Sequence, residues 1–544
     1  MPSKGYGVAA TNRRAIMKSV AVSKTRGPAE IAELVRSAEF AAAIVRLDER
    51  LADRPSFRDV ELRVRLAIRR DPALAIDLLS RHRAHAGTPL ARATAAMLEG
   101  AAFARLGDLA SARARLAEAE SAVPRPASEA NGALRCEIAH QRALASWIAR
   151  DLAEARAAIP PIDDPRASET LAIEIAVLHG AIAAAAERFA EQGAILLDAA
   201  ARLRALPQPS VLHRATVASQ LSYLAREFPN GELGRVARAE FDAIVWPAGG
   251  DLDDIRYRML RSIGWAYAIG GDYFTAFRTL KAASLAATSD AWRTQASADR
   301  ATLATALDEP RFAEQEFDDA REFAERTRWE TLRGEERFAL LGLAELAAQR
   351  DPSLALGYVA RYRREGAPMD RTLASADDRR VEAMESYSLG IVRASLGERP
   401  EAVRLITRAW EIYHEIGYVF REGRAAVALA ALTKDGIWQE RAERALASLD
   451  RRWLTTPIER AFAAGGEREP GGGARGGSAA DGNPLTPAQE AVYRLLLDGF
   501  DAETISGRLG RSTNTVRNHI KAIYRAYGVR SRGALLAQAH RSGS

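Results

Sequence analysis

The stretch Gly264-Trp-Ala-Tyr-Ala-Ile-Gly-Gly271-Asp-Tyr-Phe-Thr-Ala276-Phe-Arg-Thr-Leu280-Lys-Ala-Ala283 decides the fold of most of the chain. Gly264 and Ala276 are small, so two antiparallel helices that carry them can approach closely. Gly271 permits the turn that precedes the second helix, and large apolar residues such as Leu280 fill the space beside neighbouring hairpins. The spacing therefore predicts a helical hairpin that must stack on others.

Copies of this pattern recur along the chain, as internal repeats do. Two clear copies carry Gly100, Phe103, Gly107, Leu109, Ala112, Leu116 and Ala119, and Gly390, Gly397, Ala402, Ile406 and Ala409. Weaker copies fall at Ala143–Ile159, Gly180–Ala199, Leu303–Ala320, Leu343–Val359 and Ala426–Ala445. The chain thus resembles tetratricopeptide-like repeat proteins over most of its length. The repeats recur about every 40 residues, longer than the ~34 of the standard unit.

Such an array is an α-solenoid whose concave face commonly holds a peptide, a partner helix or a small ligand. No residue cluster indicates whether a peptide, a protein or a small-molecule effector binds this one. Aromatic side chains at helical spacing are more often core residues than groove residues, and we expect that of most of these. They are Trp265, Tyr267, Tyr273, Trp292, Trp329, Trp410, Tyr413 and Trp438.

Composition favours a nearly all-α protein. Hydrophobic residues make up 47% of the 544 residues, charged residues 27% and aromatics only 7%. Cys136 is the single cysteine, which excludes an internal disulfide and a cysteine-based zinc site and suits a reducing cytoplasm. No apolar run reaches the ~18 residues of a membrane span. We therefore expect a cytoplasmic protein without membrane, metal or cofactor.

Composition also divides the chain. Residues 1–27 carry six basic residues and no acid, and they predict a disordered arm, with Met1 and Met17 both open as starts. The repeat domain is expected over 28–463. Residues 464–483 are rich in glycine and predict a flexible linker. A module at 484–544 follows, with nine Lys and Arg residues against four acids, so a polyanion would be attracted to it.

Within that module, Ser512–Tyr527 predicts a helix with two faces. Val516, Ile520 and Ile523 recur at helical spacing and predict a buried side. The opposite side is polar and basic, and Ser512 stands at the N-cap position. Arginine or lysine can donate to guanine, and asparagine can pair with adenine, in the major groove of DNA. From this stretch alone, a DNA-reading helix and a solvated surface helix both remain open.

The neighbouring elements favour the DNA-reading helix. Helix one is expected to begin at Pro487, with Thr486 as its cap, and to end at Asp498. Helix two is expected over Ala502 to Leu509, and a fourth helix over Arg532 to His540. A helix, a short turn with glycine and a basic helix together form a helix-turn-helix arrangement.

Several separate motifs resemble the LuxR-type DNA-binding domain in the right order. They are Leu485-Thr-Pro, Leu495-Leu-Leu-Asp-Gly499, Ile505-Ser-Gly-Arg-Leu-Gly510, Thr515-Val-Arg-Asn-His519, Ile523-Tyr524 and Gly528-Val-Arg-Ser-Arg532. The resemblance extends over the module at 484–544. It implies that the third helix enters the major groove and that the fourth helix often carries dimerisation.

The resemblance also implies residue roles. Arg517, Asn518 and Lys521 would face bases or nearby phosphates, and Thr515 and the polar residues at the helix start would touch the DNA backbone. The expected DNA-binding set is Arg511, Ser512, Thr513, Asn514, Thr515, Arg517, Asn518, Lys521 and Arg525. This sequence departs from the family pattern at Ala491 and Thr504, which replace glutamates and put fine packing in doubt. It also departs at Arg511, which replaces an apolar residue and adds a candidate phosphate contact.

Together these features predict a bacterial transcription regulator that is not an enzyme. No Gly-x4-Gly-Lys-Ser/Thr loop is present, and no catalytic spacing of residues stands out. The expected partners are double-stranded DNA, RNA polymerase and a second copy of the chain on DNA. The alternatives are a sigma-factor-like helix-turn-helix, a basic module that binds no DNA, and a repeat scaffold for protein interaction with incidental DNA binding.

Overall fold

The computed structural model describes residues 28–124, 128–228, 231–307, 309–329, 332, 334–364, 379–445, 447, 485, 487–497, 502–509 and 513–526. Helix is the only regular secondary structure in these ranges, which contain no strand. The all-α prediction is thereby confirmed. The predicted arm at 1–27 and linker at 464–483 lie outside the described residues.

Twenty-two α-helices lie between Pro28 and Ala445 in the described residues, besides two short 3-10 helices at Arg83–His85 and Gly334–Phe338. The first eleven are α1 (Pro28–Arg36), α2 (Phe40–Asp53), α3 (Phe57–Ile68), α4 (Pro72–Arg81), α5 (Pro89–Leu106), α6 (Leu109–Ala122), α7 (Glu129–Ile148), α8 (Leu152–Ala158), α9 (Glu169–Ala185), α10 (Phe189–Ala205) and α11 (Val211–Glu227). The next eleven are α12 (Gly231–Asp242), α13 (Asp253–Ile269), α14 (Tyr273–Ala286), α15 (Asp290–Ala306), α16 (Pro310–Arg326), α17 (Ala339–Ala348), α18 (Pro352–Arg364), α19 (Arg379–Ser395), α20 (Arg399–Ile416), α21 (Val419–Thr433) and α22 (Gly436–Ala445).

From α3 to α22 these helices pair consecutively into ten hairpins, and the first helices of successive hairpins pack on one another along most of the array. Between α3 and α21 the hairpins recur at the average interval that the sequence repeats predicted. All of the weaker copies are hairpins. The structure adds two hairpins that the sequence pattern missed, α3–α4 and α11–α12. The array is a tetratricopeptide-like solenoid.

The small residues of the three clear repeats lie where two helices of a hairpin touch. A Cβ atom added to Gly264 would lie 2.8 Å from Leu280 Cγ, and one added to Gly100 would lie 2.8 Å from Leu116 Cγ. The leucine follows the glycine at the same interval in both hairpins, so the same contact recurs. The close approach expected from the spacing is confirmed.

The turn between the helices is also the predicted one. Gly107 and Gly271 both have φ of +82°, a left-handed conformation that glycine adopts without strain. An aspartate follows each of them and caps the next helix, because the side chains of Asp108 and Asp272 accept hydrogen bonds from backbone N–H groups three residues on.

Successive hairpins rotate, so the array closes on itself. Tyr223 and Glu227 at the end of α11 meet the start of α21, 194–195 residues later. The Tyr223 and Tyr418 hydroxyls are 3.0 Å apart, and Arg421 donates two hydrogen bonds to the Glu227 carboxylate, at 2.9 and 3.1 Å. We call these four residues the closure contact.

Other contacts join residues that are about as far apart along the sequence. The Ala41 backbone N–H donates to Asp251 over 3.0 Å, across 210 residues. Arg379 donates to Glu187 over 2.9 Å, across 192 residues. The superhelix thus completes one turn in about 190 residues. In the described ranges no helix is long and apolar enough to span a bilayer.

Candidate DNA-binding interface

Three helices near the C-terminus form a separate packing unit: α23 (Pro487–Leu497), α24 (Ala502–Leu509) and α25 (Thr513–Ala526). α23 begins at Pro487, as predicted, because proline suits the first helical turn, where its missing N–H has no partner to lose. α24 has the predicted bounds. The three helices therefore follow the order of a helix-turn-helix arrangement.

One small apolar core joins these helices. Val492 and Leu496 of α23, Ile505 of α24, and Val516 and Ile523 of α25 are all buried. Ile520 and Leu509 are partly buried against the same core. Because α25 contributes its Val516 side to this core, its opposite side must face away from α23 and α24.

That opposite side carries the exposed polar residues Arg517, Asn518 and Lys521. Positions i, i+1 and i+4 lie within about 100° of one another around a helix. Thr515 lies at the flank and is half-buried. The helix is about 21 Å long and so presents a short row of hydrogen-bond donors that an open groove could receive.

The structure describes the remaining predicted site residues only in part. Arg511 and Ser512 lie outside the described residues. Thr513, Asn514 and Arg525 belong to α25, but their side chains lie outside what is described. The predicted cap Thr486, Tyr527 at the end of the predicted third helix, and the fourth helix at Arg532–His540 also lie outside the described residues. Their roles stay predictions.

Among the described residues, a contact joins α25 to the repeat array. His519 Nε2 lies 3.4 Å from Glu309 Oε1, at the start of α16. His519 is on the flank of α25 and is not one of the exposed row Arg517, Asn518 and Lys521.

The sequence of this unit matches a known family. Residues 483–539 match the model described as bacterial regulatory proteins, luxR family. The C-terminal module is a LuxR-family domain. The match includes the whole of α23, α24 and α25, so the exposed row of α25 belongs to the LuxR-type module.

The LuxR-type module supports a DNA-binding transcription regulator, and its family is regulatory, not enzymatic. Within the described part of the chain, no three His, Cys, Asp or Glu side chains are grouped so as to hold a metal ion. Donors such as Arg517 and Lys521 can bind an acceptor-rich surface.

Comparisons of the whole chain with known proteins are less informative than the match of the LuxR-type module. No curated protein shows significant sequence similarity to the chain. Among solved structures, the chain is similar to the crystal structure of APC/C hetero-tetramer Cut9-Hcn1 at 12% identity, covering 97% of this chain and 99% of that one, with a TM-score of 0.22. The solenoid assignment therefore rests on the packing of the chain's own hairpins.

The aromatic residues of the repeat array are largely core residues, as expected. Trp329 is fully buried, and its Nε1–H donates to the Ala324 carbonyl over 2.9 Å. Trp265, Trp292 and Tyr413 are buried as well, and they also line a cavity inside the superhelical turn. The sequence carried no signal for this cavity, because its lining residues come from helices far apart in the chain.

Proposed function

We propose that this protein regulates transcription by sequence-specific binding of duplex DNA, with α25 in the major groove. The exposed row Arg517, Asn518 and Lys521, opposite a buried apolar side in a LuxR-family domain, is the observation that carries the proposal. An α-helix fits the major groove, where each base pair presents a distinct pattern of donors and acceptors.

The proposed roles divide the predicted site into two sets. Arg517, Asn518 and Lys521 read base edges or contact nearby phosphates. The DNA backbone is held by residues at and around the helix start and by the basic residue after the row; these are Arg511, Ser512, Thr513, Asn514, Thr515 and Arg525. Backbone contacts fix register, and base contacts specify sequence.

A second copy of the chain is the proposed partner on DNA. Helix-turn-helix dimers bind two half-sites about one helical turn, or about 34 Å, apart. The predicted fourth helix at 532–540 is the proposed dimer contact, and RNA polymerase is the proposed partner in transcription. The residues between 464 and 483 are proposed as the tether between a repeat domain at 28–463 and the module at 484–544.

The repeat domain is the proposed sensor or docking platform. Its closure on itself creates an interior surface, and solenoids commonly use such surfaces for binding. A cytoplasmic location suits this role, because DNA and RNA polymerase are there.

The test uses the full chain and a pool of random duplexes. Bound duplexes are selected and sequenced, and their affinity is measured at several salt concentrations. We expect one enriched motif with two half-sites, and affinity that falls steeply as salt rises. Lys521→Ala and Arg517→Ala should each weaken the selected site by roughly 1–3 kcal/mol.

Arg494→Ala is the matched control, since it removes an exposed arginine of α23 that pairs with Glu490 at 3.4 Å. It should leave site preference unchanged. If no motif is enriched and retention of DNA does not depend on salt, the regulator proposal fails and the protein-interaction scaffold takes its place.

A further inference from the structure

The superhelical turn partly encloses a cavity of about 460 Å³. The first helices of successive hairpins supply most of its wall, from α7 to α21, and the closure contact residues Tyr223, Glu227 and Arg421 form one side. Cavities that bind small molecules commonly have volumes of about 300–1,000 Å³. The size suits a small molecule.

Aromatic side chains form the apolar part of the wall. Trp147, Trp265 and Trp292 line the cavity, and the rings of Trp292 and Tyr257 pack together with their centroids 4.8 Å apart. Aromatic faces stack on planar groups and exclude water from them. A planar or aromatic ligand body is the chemistry that this part of the wall would bind best.

Charge in the wall is strongly unbalanced. Seven arginines and three carboxylates line the cavity, and lysine is absent from the lining that the structure describes. Arginine remains charged at any ordinary pH. The lining therefore carries four more positive than negative groups, in a partly enclosed space where charges are screened less than in water. An anion would be attracted there and a cation repelled.

Several of these arginines have donors left for a ligand. Arg421 uses two of its five N–H groups on Glu227, and Arg261 uses two on Asp299. Arg424 donates to Glu345 over 3.1 Å. The side chains of these three arginines line the cavity and keep 22–24% exposure.

Polar atoms in the wall also lack protein partners. Gln192 Oε1, Gln220 Oε1 and Trp147 Nε1 are buried and have no hydrogen-bond partner among the described residues, and Gln192 is only 6% exposed. Buried polar atoms are nearly always hydrogen-bonded in folded proteins. These three atoms are two acceptors and one donor that a bound molecule would satisfy.

We propose that this cavity binds a small organic anion with an aromatic body, whose acidic group pairs with the arginines. The proposal deepens the proposed sensor role of the repeat domain. Its test measures ligand binding without DNA, so its failure and the failure of DNA binding are separate results.

The probe is 1-anilino-8-naphthalenesulfonate, titrated into the full chain and followed by fluorescence. Its neutral analogue, N-phenyl-1-naphthylamine, has the same aromatic body without the sulfonate. We expect one saturable site for the anionic probe and an affinity at least tenfold higher than that of the neutral analogue. Equal affinity of the two probes would overturn the proposal, because the arginines would then contribute nothing.

Two near-isosteric variants place a carboxylate in the wall. They are Gln220→Glu and Gln295→Glu. The Tyr257 hydroxyl donates to Gln295 Oε1 over 3.2 Å, and the new carboxylate in Gln295→Glu would still accept this hydrogen bond. Each should weaken the anionic probe about tenfold and leave the neutral probe within twofold. Gln315→Glu makes the same charge change on the exposed side of α16 and should change neither affinity.

If one cavity variant melts at a lower temperature than the native chain, the other decides the outcome. If the anionic probe binds the cavity variants and Gln315→Glu with the same affinity, then the probe binds elsewhere and the proposal is overturned.

Discussion

Among the glycines that the structure describes, Gly390 is the one where adding a methyl group should change the array most. It lies on α19, and a Cβ atom there would be 2.5 Å from Ile406 Cγ1 and 3.3 Å from the Ala402 carbonyl oxygen. Ile406 is β-branched and fully buried, so Cγ1 cannot rotate away freely. The two helices must separate to accept Gly390→Ala.

The expected magnitude follows from two opposing effects. Overpacking a well-packed contact costs about 1–3 kcal/mol, and the short distance to a stiff side chain places Gly390→Ala near the upper end. Replacing glycine by alanine inside a helix stabilises it by about 1 kcal/mol. The net destabilisation of the α19–α20 hairpin should therefore be about 1–2 kcal/mol.

Hydrogen exchange of the full chain measures this locally, which suits an array whose hairpins need not unfold together. Amides of α19 and α20 should lose protection by roughly 5- to 30-fold, the equivalent of that free energy. Gly357→Ala is the control. Gly357 lies in α18 with nothing within 4 Å of an added Cβ, so protection there should rise.

A double-mutant cycle tests the cause. With Ile406→Ala in the background, the obstacle is gone and Gly390→Ala should become neutral or stabilising. If Gly390→Ala destabilises the hairpin equally in both backgrounds, contact with Ile406 is not the reason that glycine is needed.

Three other changes have defined outcomes. Arg511→Ala should weaken DNA binding similarly for all sequences. When affinity is measured at several salt concentrations, the slope of log affinity against log salt concentration should become shallower by about 0.9. An effect at one base pair alone would contradict a phosphate contact. Burial alone would raise the pKa of Glu227, but Arg421 pairs with it and the pKa is lowered to about 2. The ionised carboxylate therefore stabilises the fold above pH 4.5, and this stabilisation should be lost as the pH falls from 4.5 towards 2. The urea midpoint of unfolding, measured across this pH range, should fall less in Glu227→Gln than in the native chain. Asp272→Ala removes the cap of α14 and should cost about 1 kcal/mol by hydrogen exchange, whereas Asp272→Asn should cost little.

The hairpins could be predicted from the sequence because their contacts are local. A glycine and a large apolar residue at a fixed interval after it face each other in every clear repeat, and a left-handed glycine with an aspartate cap marks two of the turns. The α11–α12 hairpin escaped prediction because its first helix has Ser222 where the clear copies place glycine.

The exposed row of α25 could be predicted for a similar reason. Val516 and Ile523 reveal the buried side by spacing alone, so the position of Arg517 and Lys521 on the other side follows from helix geometry. Which of these side chains meets a base cannot follow from spacing, since that depends on how the helix is inclined in the groove.

The closure of the array could not be predicted, because it depends on a rotation that accumulates over hairpins. One turn in about 190 residues, at about 40 residues per hairpin, corresponds to about 75° per hairpin. A change of only ~5° at each step would add to about 25° over one turn and would carry Glu227 out of reach of Arg421. Within its own hairpin, each arginine that lines the cavity is an ordinary helix-surface residue. Only the accumulated rotation places these arginines close together. Small packing details, such as the glycine at each hairpin contact, therefore determine both the shape of the array and the electrostatic character of its interior.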